Sequence, residues 1–280
     1  MESLESRYLF KGRLVLDTAM HIGGGRASLV PTDAPVIRTP EGHPFIPGAS
    51  FKGVFRSTVE KLAASIPGVR TCALDPGADC IGPQGDKQKK FNKELNERRE
   101  KEKWDDRQLK AHLEKELCDT CLLFGSPYMA SKVFFSDLYL LEREAYTQIR
   151  DGVGIDRDSE KAMDHLKFDY ETVSSGVSFA FRAMLENPTE KEIALFCTGL
   201  MEYISGFAGI GGKRSAGLGR CHLEDVELYY LDLRDNNQRL ENLRKYLLGS
   251  NEEEKMHRVS DVEKFIKDRI SLLLPKEGGR

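Results

Sequence analysis

Residues 21–56 read HIGGGRASLVPTDAPVIRTPEGHPFIPGASFKGVFR, and the fold can be worked outward from them. The segment opens on a glycine run, carries one carboxylate, Asp33, in an irregular loop, and leads into a helix whose first turns hold Lys52 and Arg56. Glycine has no Cβ, so backbone there can approach a ligand closely. A helix N-terminus presents unpaired N–H groups, and Lys52 and Arg56, four residues apart on one face, add positive charge. Such a segment suits an anion such as a phosphate. A second glycine stretch, residues 206–220, reads as its partner, with Lys213, Arg214 and Arg220 among its glycines. It follows a helix and precedes a strand, the reverse of the dinucleotide-binding order, and the spacing of a P-loop is absent. A cationic lip for a polyanion is the reading that remains beside a plain glycine-rich connection.

On the N-terminal side, residues 8–16 alternate. Tyr8, Phe10, Gly12, Leu14 and Leu16 fall on one face and Lys11, Arg13 and Val15 on the other, the pattern of a half-buried strand. On the C-terminal side, helix spacing starts from Ser50 as N-cap, with Phe51, Val54, Phe55, Leu62, Ala63 and Ile66 facing the core, and stops at Pro67-Gly68. Residues 133–141 predict a strand, and Val177, Phe179, Phe181, Ala183 and Leu185 alternate as another. Thr189 with Glu192 forms a capping box before a helix carrying Ile193, Phe196, Cys197, Leu200, Met201 and Ile204. A last core strand covers about 219–230. The order strand, helix, strand, strand, helix, strand predicts an α+β, ferredoxin-like fold with its helices on one sheet face. Three embellishments decorate it: the loop 21–49, an insertion at 69–121 and an excursion at 143–175. Beyond residue 231 two amphipathic helices follow, the last capped by Ser260 and Glu263, and the tail from Pro275 reads as frayed.

The 280 residues allow one large domain or two small ones. A net charge of -3 gives no bulk attraction to nucleic acid, so any such partner needs a local basic stripe. No apolar run has the length of a membrane span and no signal peptide opens the chain, which predicts a cytoplasmic protein with no membrane partner. In that compartment grouped cysteines point to metal rather than disulfides. Cys72, Cys80, Cys118 and Cys121 read as a closed structural Zn2+ site, with a redox pair or no metal as alternatives and His112 as a substitute ligand. Cys197 and Cys221 read as buried small hydrophobes. The charged run 87–115 between the cysteine pairs reads as helix, anchored by Phe91, Leu95, Trp104, Leu109, Leu113 and Leu117.

Asp33 is either a turn-former bonding its own backbone, or a carboxylate that holds a divalent cation or acts as a base beside a phosphodiester. His21 and His43 flank the same loop as structural residues or as proton carriers. The excursion 143–175 has no clean period. Its Arg150, Arg157, Lys161 and Lys167, interleaved with Ile155, Met163 and Phe168, suit either a projecting hairpin that wedges between stacked bases or a surface loop.

The stretches HIGGG (21–25), TDAPVIR (32–38), PFIPGASFKGVFR (44–56), CLLFG (121–125), DGVGIDRDSEKA (151–162) and IGGKRSAGLGR (210–220) together resemble the RAMP superfamily of CRISPR systems. More narrowly they are similar to the guide-binding backbone subunits of type III effector complexes. The resemblance covers most of residues 8–230 and leaves the stretch beyond 231 unmatched. It implies a modified RNA-recognition-like palm over 1–68 and 122–230, a zinc-binding insertion over 69–121, a thumb over 143–175 and a helical extension over 231–280. It implies guide CRISPR RNA, target RNA, other RAMP-type subunits and further copies of the chain as partners. Asp33 falls on the family's catalytic aspartate, which cuts target RNA with Mg2+ or Mn2+, the RNA's own 2′-hydroxyl attacking. RNA contacts are implied for His21, Gly23, Gly24, Arg38, Ser50, Lys52 and Arg56, for Arg150 and Arg157 on the thumb, and for Gly211, Gly212, Lys213, Arg214, Gly217 and Arg220. The rival readings are a non-cleaving guide-binding scaffold, a precursor-RNA processing endonuclease using His21 or His43, and a zinc-stapled protein-interaction module.

Overall fold

Tyr8, Phe10, Leu14 and Leu16 are all buried, and the strand that carries them is the centre of the molecule. The computed structural model describes residues 3–24, 32–72, 80, 86–158 and 161–274. Gly25, part of the DGVGIDRDSEKA stretch and the tail from Pro275 lie outside the described residues, as does the side chain of Met163. The elements run β1 (Ser6–Leu16), β2 (Phe45–Ile46), α1 (Gly48–Ala63), α2 (Asp86–Glu100), α3 (Asp106–Glu116), α4 (Asp119–Phe124), β3 (Val133–Phe135), β4 (Leu138–Tyr139), β5 (Thr147–Ile155) and β6 (Ala162–Val173). They continue with β7 (Ser178–Glu186), α5 (Glu190–Ile204), β8 (Cys221–Asp232), α6 (Arg239–Leu248), α7 (Glu252–Lys255), β9 (His257–Arg258) and α8 (Val262–Ser271). The chain is a mixed α/β structure. Its central sheet is antiparallel, ordered β3-β7-β1-β8-β9.

One face of that sheet packs on α1, α5 and α8. Phe51, Phe55, Val59 and Ala63 recur every four residues along α1 and are fully buried. They meet Phe196, Tyr203, Phe135 and Phe181 in one aromatic cluster. Each such ring contributes roughly 1.5–3 kcal/mol by leaving water. The two helices cross at Gly199, where an added Cβ would stand 2.5 Å from Val59 and 2.8 Å from Phe55. The opposite face is not bare: Leu9, Tyr229 and Leu231 are buried there with Met256, against Leu243 and Tyr246 of α6. A β-bulge lets one strand serve both faces. The β1–β8 register slips between Lys11 and Arg13, and Asp225 opposite adopts a left-handed φ of 52°. Cys221 and Leu223 before the bulge, and Leu228 after it, therefore all point to the helices.

Helix ends follow the expectation only where the cap is local. Thr189 and Glu192 form the capping box of α5, and buried Glu192 also takes Lys132 Nζ at 2.8 Å on both oxygens. Ser50 is not a cap. The helix begins at Gly48 behind Pro47, whose ring presets φ, and the Gly48 N–H donates to Asp137 Oδ1 at 2.7 Å. The last helix is capped by Asp261, not Ser260, because the Asp261 carboxylate accepts from Lys264 N. The expected strand 133–141 divides at Ser136-Asp137: β3 stays in the central sheet and β4 leaves to pair with β2. The charged run is two helices rather than one. Lys103 turns with a φ of 56° and Asp105 caps α3 by a capping box with Gln108. Beyond β8 the chain adds α6, the single turn α7, the edge strand β9 and α8, where two helices were expected.

The excursion 143–175 is a hairpin, β5 against β6, paired from Thr147↔Val173 to Ile155↔Ala162 with a register slip between Val153 and Ile155. It is rooted by reciprocal backbone bonds between Met20 and Val173 at 2.9 and 2.8 Å.

Candidate nucleic-acid site and metal centre

Four consecutive residues of β6, 168–171, bring together Asp33, His21, Arg38, Lys213 and Arg150 of the residues singled out in the sequence. Asp169 meets the catalytic candidate: the Asp33 N–H donates to Asp169 Oδ1 at 2.8 Å, and the Asp169 N–H donates to Asp33 Oδ2 at 3.2 Å. Thr32 Oγ1 donates to the same Asp169 oxygen at 2.5 Å. These donors hold the Asp169 carboxyl below the usual carboxylate range, the Thr32 hydroxyl acting most strongly. Asp33 itself is exposed.

Glu171, on the same hairpin face, is buried and organises the rest of the loop. Its backbone N–H donates to Ala34 O at 2.9 Å, and its carboxylate accepts from Val36 N at 3.0 Å and from Arg38 at 2.5 Å. Burial pushes this carboxyl up, but the Val36 N–H, the Thr147 hydroxyl and the Arg38 guanidinium outweigh it and leave it below the usual range. Arg38 also bonds Gly42 O and Thr147, so its fork is largely spent within the protein.

The two glycine stretches meet at His21. The His21 Nδ1 lies 2.7 Å from Glu171 O, and a carbonyl only accepts, so Nδ1 carries the proton and a neutral ring keeps a lone pair on Nε2. Its carbonyl takes the Gly212 N–H at 2.9 Å. Gly211 has a φ of +80°, and a Cβ there would lie 2.4 Å from the same carbonyl, so no other residue fits. Gly23 pairs with Val36, and Gly24 N donates to Pro35 O, which lays the first glycine run along the Asp33 loop. Lys213 follows in a left-handed turn and sets its ammonium 4.5 Å from the Phe168 ring centre and 4.3 Å from that of Tyr170. Gly217 closes the turn after Arg214, whose side chain is exposed and whose nearest acceptor is Gly209 O at 3.5 Å. Arg220 is exposed beside Asp17. On β5, Arg150 is half-buried opposite Tyr170, and Arg157 is exposed in the turn that follows. The hairpin face that carries Asp169 and Glu171 also exposes Ile149 and Val153 of β5, with Ile155 exposed beyond the register slip.

The α1 residues separate. Ser50 is exposed in the first turn. Lys52 is half-buried, has no hydrogen bond or ion pair among the described residues, and is held below the usual lysine range by burial and by Arg56. Arg56 turns inward instead, to Glu60 at 2.8 Å, Gly125 O at 3.1 Å and Cys121 Sγ at 3.5 Å.

Cys72, Cys80, Cys118 and Cys121 form one cluster with all four sulfurs within 4.8 Å of one another, and it is the one set among the described residues able to hold a metal ion. Neighbouring sulfurs lie 3.5–3.9 Å apart. Tetrahedral Zn2+ with ~2.3 Å bonds separates its thiolates by about 3.8 Å, so the donor set fits zinc without rearrangement. Burial pushes the Cys72 thiol up to about 11, whereas hydrogen bonds from Cys121 and Cys80 hold Cys118 far below the usual thiol range. Four such ligands would leave no open position on a bound ion, which is compatible with a structural site. His112 is not a ligand: it stacks on Phe91 and approaches Glu94 at 3.3 Å. Phe91, Leu95, Leu113 and Leu117 pack around the cysteines as a second small core.

Asp169 and Glu171 escaped the sequence reading. Both sit in a polar run, and their partners lie more than 130 positions away.

A family model described as the RAMP superfamily matches residues 13–222. Among curated proteins, the chain is 41% identical over 61 residues to the CRISPR system Cms endoribonuclease Csm3 of Methanocaldococcus jannaschii, covering 21% of this chain and 25% of that protein. It is 41% identical over 66 residues to the protein of the same name from Enterococcus italicus, covering 22% of this chain and 31% of that one. The alignments thus span a quarter to a third of these relatives' length. Among the described residues, no helix is long and apolar enough to cross a membrane.

Proposed function

Because the chain belongs to the RAMP superfamily, we propose that it is a backbone subunit of a type III CRISPR effector complex. In this reading it works in the cytoplasm, binds guide RNA beside other RAMP-type subunits and further copies of itself, and cleaves paired target RNA through Asp33. The observation that carries the reading is the convergence on β6: an exposed carboxylate, an imidazole with a free nitrogen and two glycine loops meet on one strand of a projecting hairpin. The names of the relatives support the endoribonuclease activity.

We assign residues 1–68 and 122–230 to a ferredoxin-like palm. The support is the order β3-β7-β1-β8 for strands that alternate with α1 and α5 along the chain. Residues 69–121 are the zinc-binding insertion, 143–175 the thumb and 231–280 a C-terminal extension. Lys52, Lys213, Arg214, Arg220, Arg150 and Arg157 supply the positive stripe for RNA phosphates that the net charge does not. Lys52 has the clearest need of an anion, since a half-buried cation without a partner gains most from one. Ser50 and the backbone at Gly23, Gly24, Gly211, Gly212 and Gly217 line the same path.

At the scissile step Asp33 keeps Oδ1 free of protein donors among the described residues, while Oδ2 is pinned by Asp169 N. Asp33 would hold a divalent cation, Mg2+ or Mn2+, and such an ion would supply charge neutralisation for the RNA phosphate. Asp33 orients the phosphate so that the adjacent 2′-hydroxyl of the target stands in line with the leaving 5′-oxygen. The 2′-oxygen gives up its proton to water and bonds to phosphorus, closing a 2′,3′-cyclic phosphate. The bond to the 5′-oxygen breaks, and that oxygen takes a proton from water to leave as a 5′-hydroxyl.

The test assembles the chain with its partners and guide, then adds end-labelled target and Mg2+ or Mn2+. Wild type is expected to give evenly spaced products with cyclic phosphate ends, and Asp33→Ala to give none while capturing target as before. Undiminished cleavage by Asp33→Ala removes the catalytic assignment. Capture without cleavage by the wild type leaves a non-cleaving scaffold.

A further inference from the structure

We infer that Asp169 is the positioning residue for Asp33, so that the hairpin rather than the central sheet sets the geometry of the cleaving carboxylate. The inference rests on the reading of Asp33 as the catalytic group and adds a second residue to it. Asp33 and Asp169 close a ring of two reciprocal hydrogen bonds, each backbone N–H serving the other's carboxylate, and the Thr32 hydroxyl braces the Asp169 oxygen from the side. Two exposed carboxylates side by side would repel. Here each is offset by an N–H of the opposite residue, and the ring leaves the Asp33 side chain little freedom of rotation. Among the described residues neither the Asp33 carboxylate nor its N–H has another partner.

The ring also has a fixed register. Two residues further along the same face of β6, Glu171 binds Ala34 O and the Val36 N–H, laying the loop 32–36 beside the strand. Glu171 therefore places the loop and Asp169 sets the carboxylate at its end. The donors on Asp169 keep it ionised, so at neutral pH it is an acceptor and takes no part as an acid. Among the described residues the Asp169 carboxylate is held by the Thr32 hydroxyl and the Asp33 N–H, and in this proposal its action on RNA passes through Asp33.

The experiment compares Asp169→Ala and Asp169→Asn with wild type and Asp33→Ala in the fully assembled, guide-loaded complex. It measures single-turnover cleavage at saturating target, target affinity, and the Mn2+ concentration for half-maximal rate. A carboxylate displaced by about 1 Å predicts a rate lower by roughly 100-fold for Asp169→Ala, with target affinity unchanged. Asp169→Asn keeps an oxygen acceptor for Thr32 and for the Asp33 N–H, and retains most of the rate. Wild-type cleavage by Asp169→Ala overturns the proposal. Equal loss in both variants with a raised Mn2+ requirement overturns it in favour of a direct metal ligand. A fall in target affinity that matches the fall in rate overturns it in favour of a purely structural residue. Cleavage that persists in Asp33→Ala refutes the underlying reading instead, whatever Asp169 does.

Discussion

Lys52 and Arg56 share one face of α1, yet their surroundings divide their work. Arg56 is spent on Glu60, Gly125 O and the Cys121 sulfur, so it ties α1 to the cysteine centre. Lys52 has no hydrogen bond or ion pair among the described residues. Replacing Lys52 with Ala should weaken RNA binding alike for all sequences and lower the slope of log affinity against log salt by about one. Arg56→Ala should leave that slope unchanged and instead lower zinc affinity by about 10- to 100-fold in competition with a chelator, the usual effect of losing an outer partner of a metal ligand. A reduced salt slope in Arg56→Ala with zinc fully held would return the guanidinium to the RNA. The difference between the two side chains is invisible in the sequence, where i and i+4 look equivalent. It arises because Cys121 and Gly125 come to α1 from more than 60 positions away.

The hairpin β5–β6 is held at its root by Glu171, a buried carboxylate whose folded form is stabilised as the anion. The sign follows directly: a depressed carboxyl contributes stability above the ordinary glutamate range, and that contribution is lost only as pH falls through the lower folded value. Anchoring should therefore be complete at neutral pH and fail in acid, below the pH near 4.3 where a free glutamate protonates. An NMR titration of the Val36 amide, which donates to Glu171, should show its midpoint below that of free glutamate and no such step in Glu171→Gln. A midpoint above it would mean that burial wins. This element was also the hardest to read from sequence. Glycines 152 and 154 blank one face, and Ile149, Val153 and Ile155 face water, so alternation has no core to report on. β1, β7 and α5 were legible because one face of each meets the main core and the α5 cap is four residues long. The α1 start was not, because its cap comes from Asp137, 89 residues downstream.

On the scale of the whole chain, the described residues form three apolar cores: the large one between sheet and helices, a small one around the cysteines, and another small one on the opposite sheet face under α6. Cys118→Ser should release zinc and remove amide protection from α2, α3 and α4, while β1, β7 and β8 keep theirs in hydrogen exchange. Zinc content equal to wild type would refute the site, and loss of protection throughout would refute the independence of the cores. The clustering of the four cysteines was readable because so few residue types can ligate a metal, whereas the packing that separates the cores follows from chain reversals no local pattern encodes. The central sheet ends in β3 and β9, strands of three and two residues. Such stubs offer little template of their own, but β9 pairs only Tyr229 and Tyr230 and leaves residues 221–227 of β8 without a strand on their outer edge among the described residues. What would keep crowded copies from fusing along that edge is its chemistry: Glu224, Asp225 and Glu227 put charge on it and the bulge at Asp225 bends it. Replacing these acids with apolar residues should therefore promote aggregation without unfolding the chain.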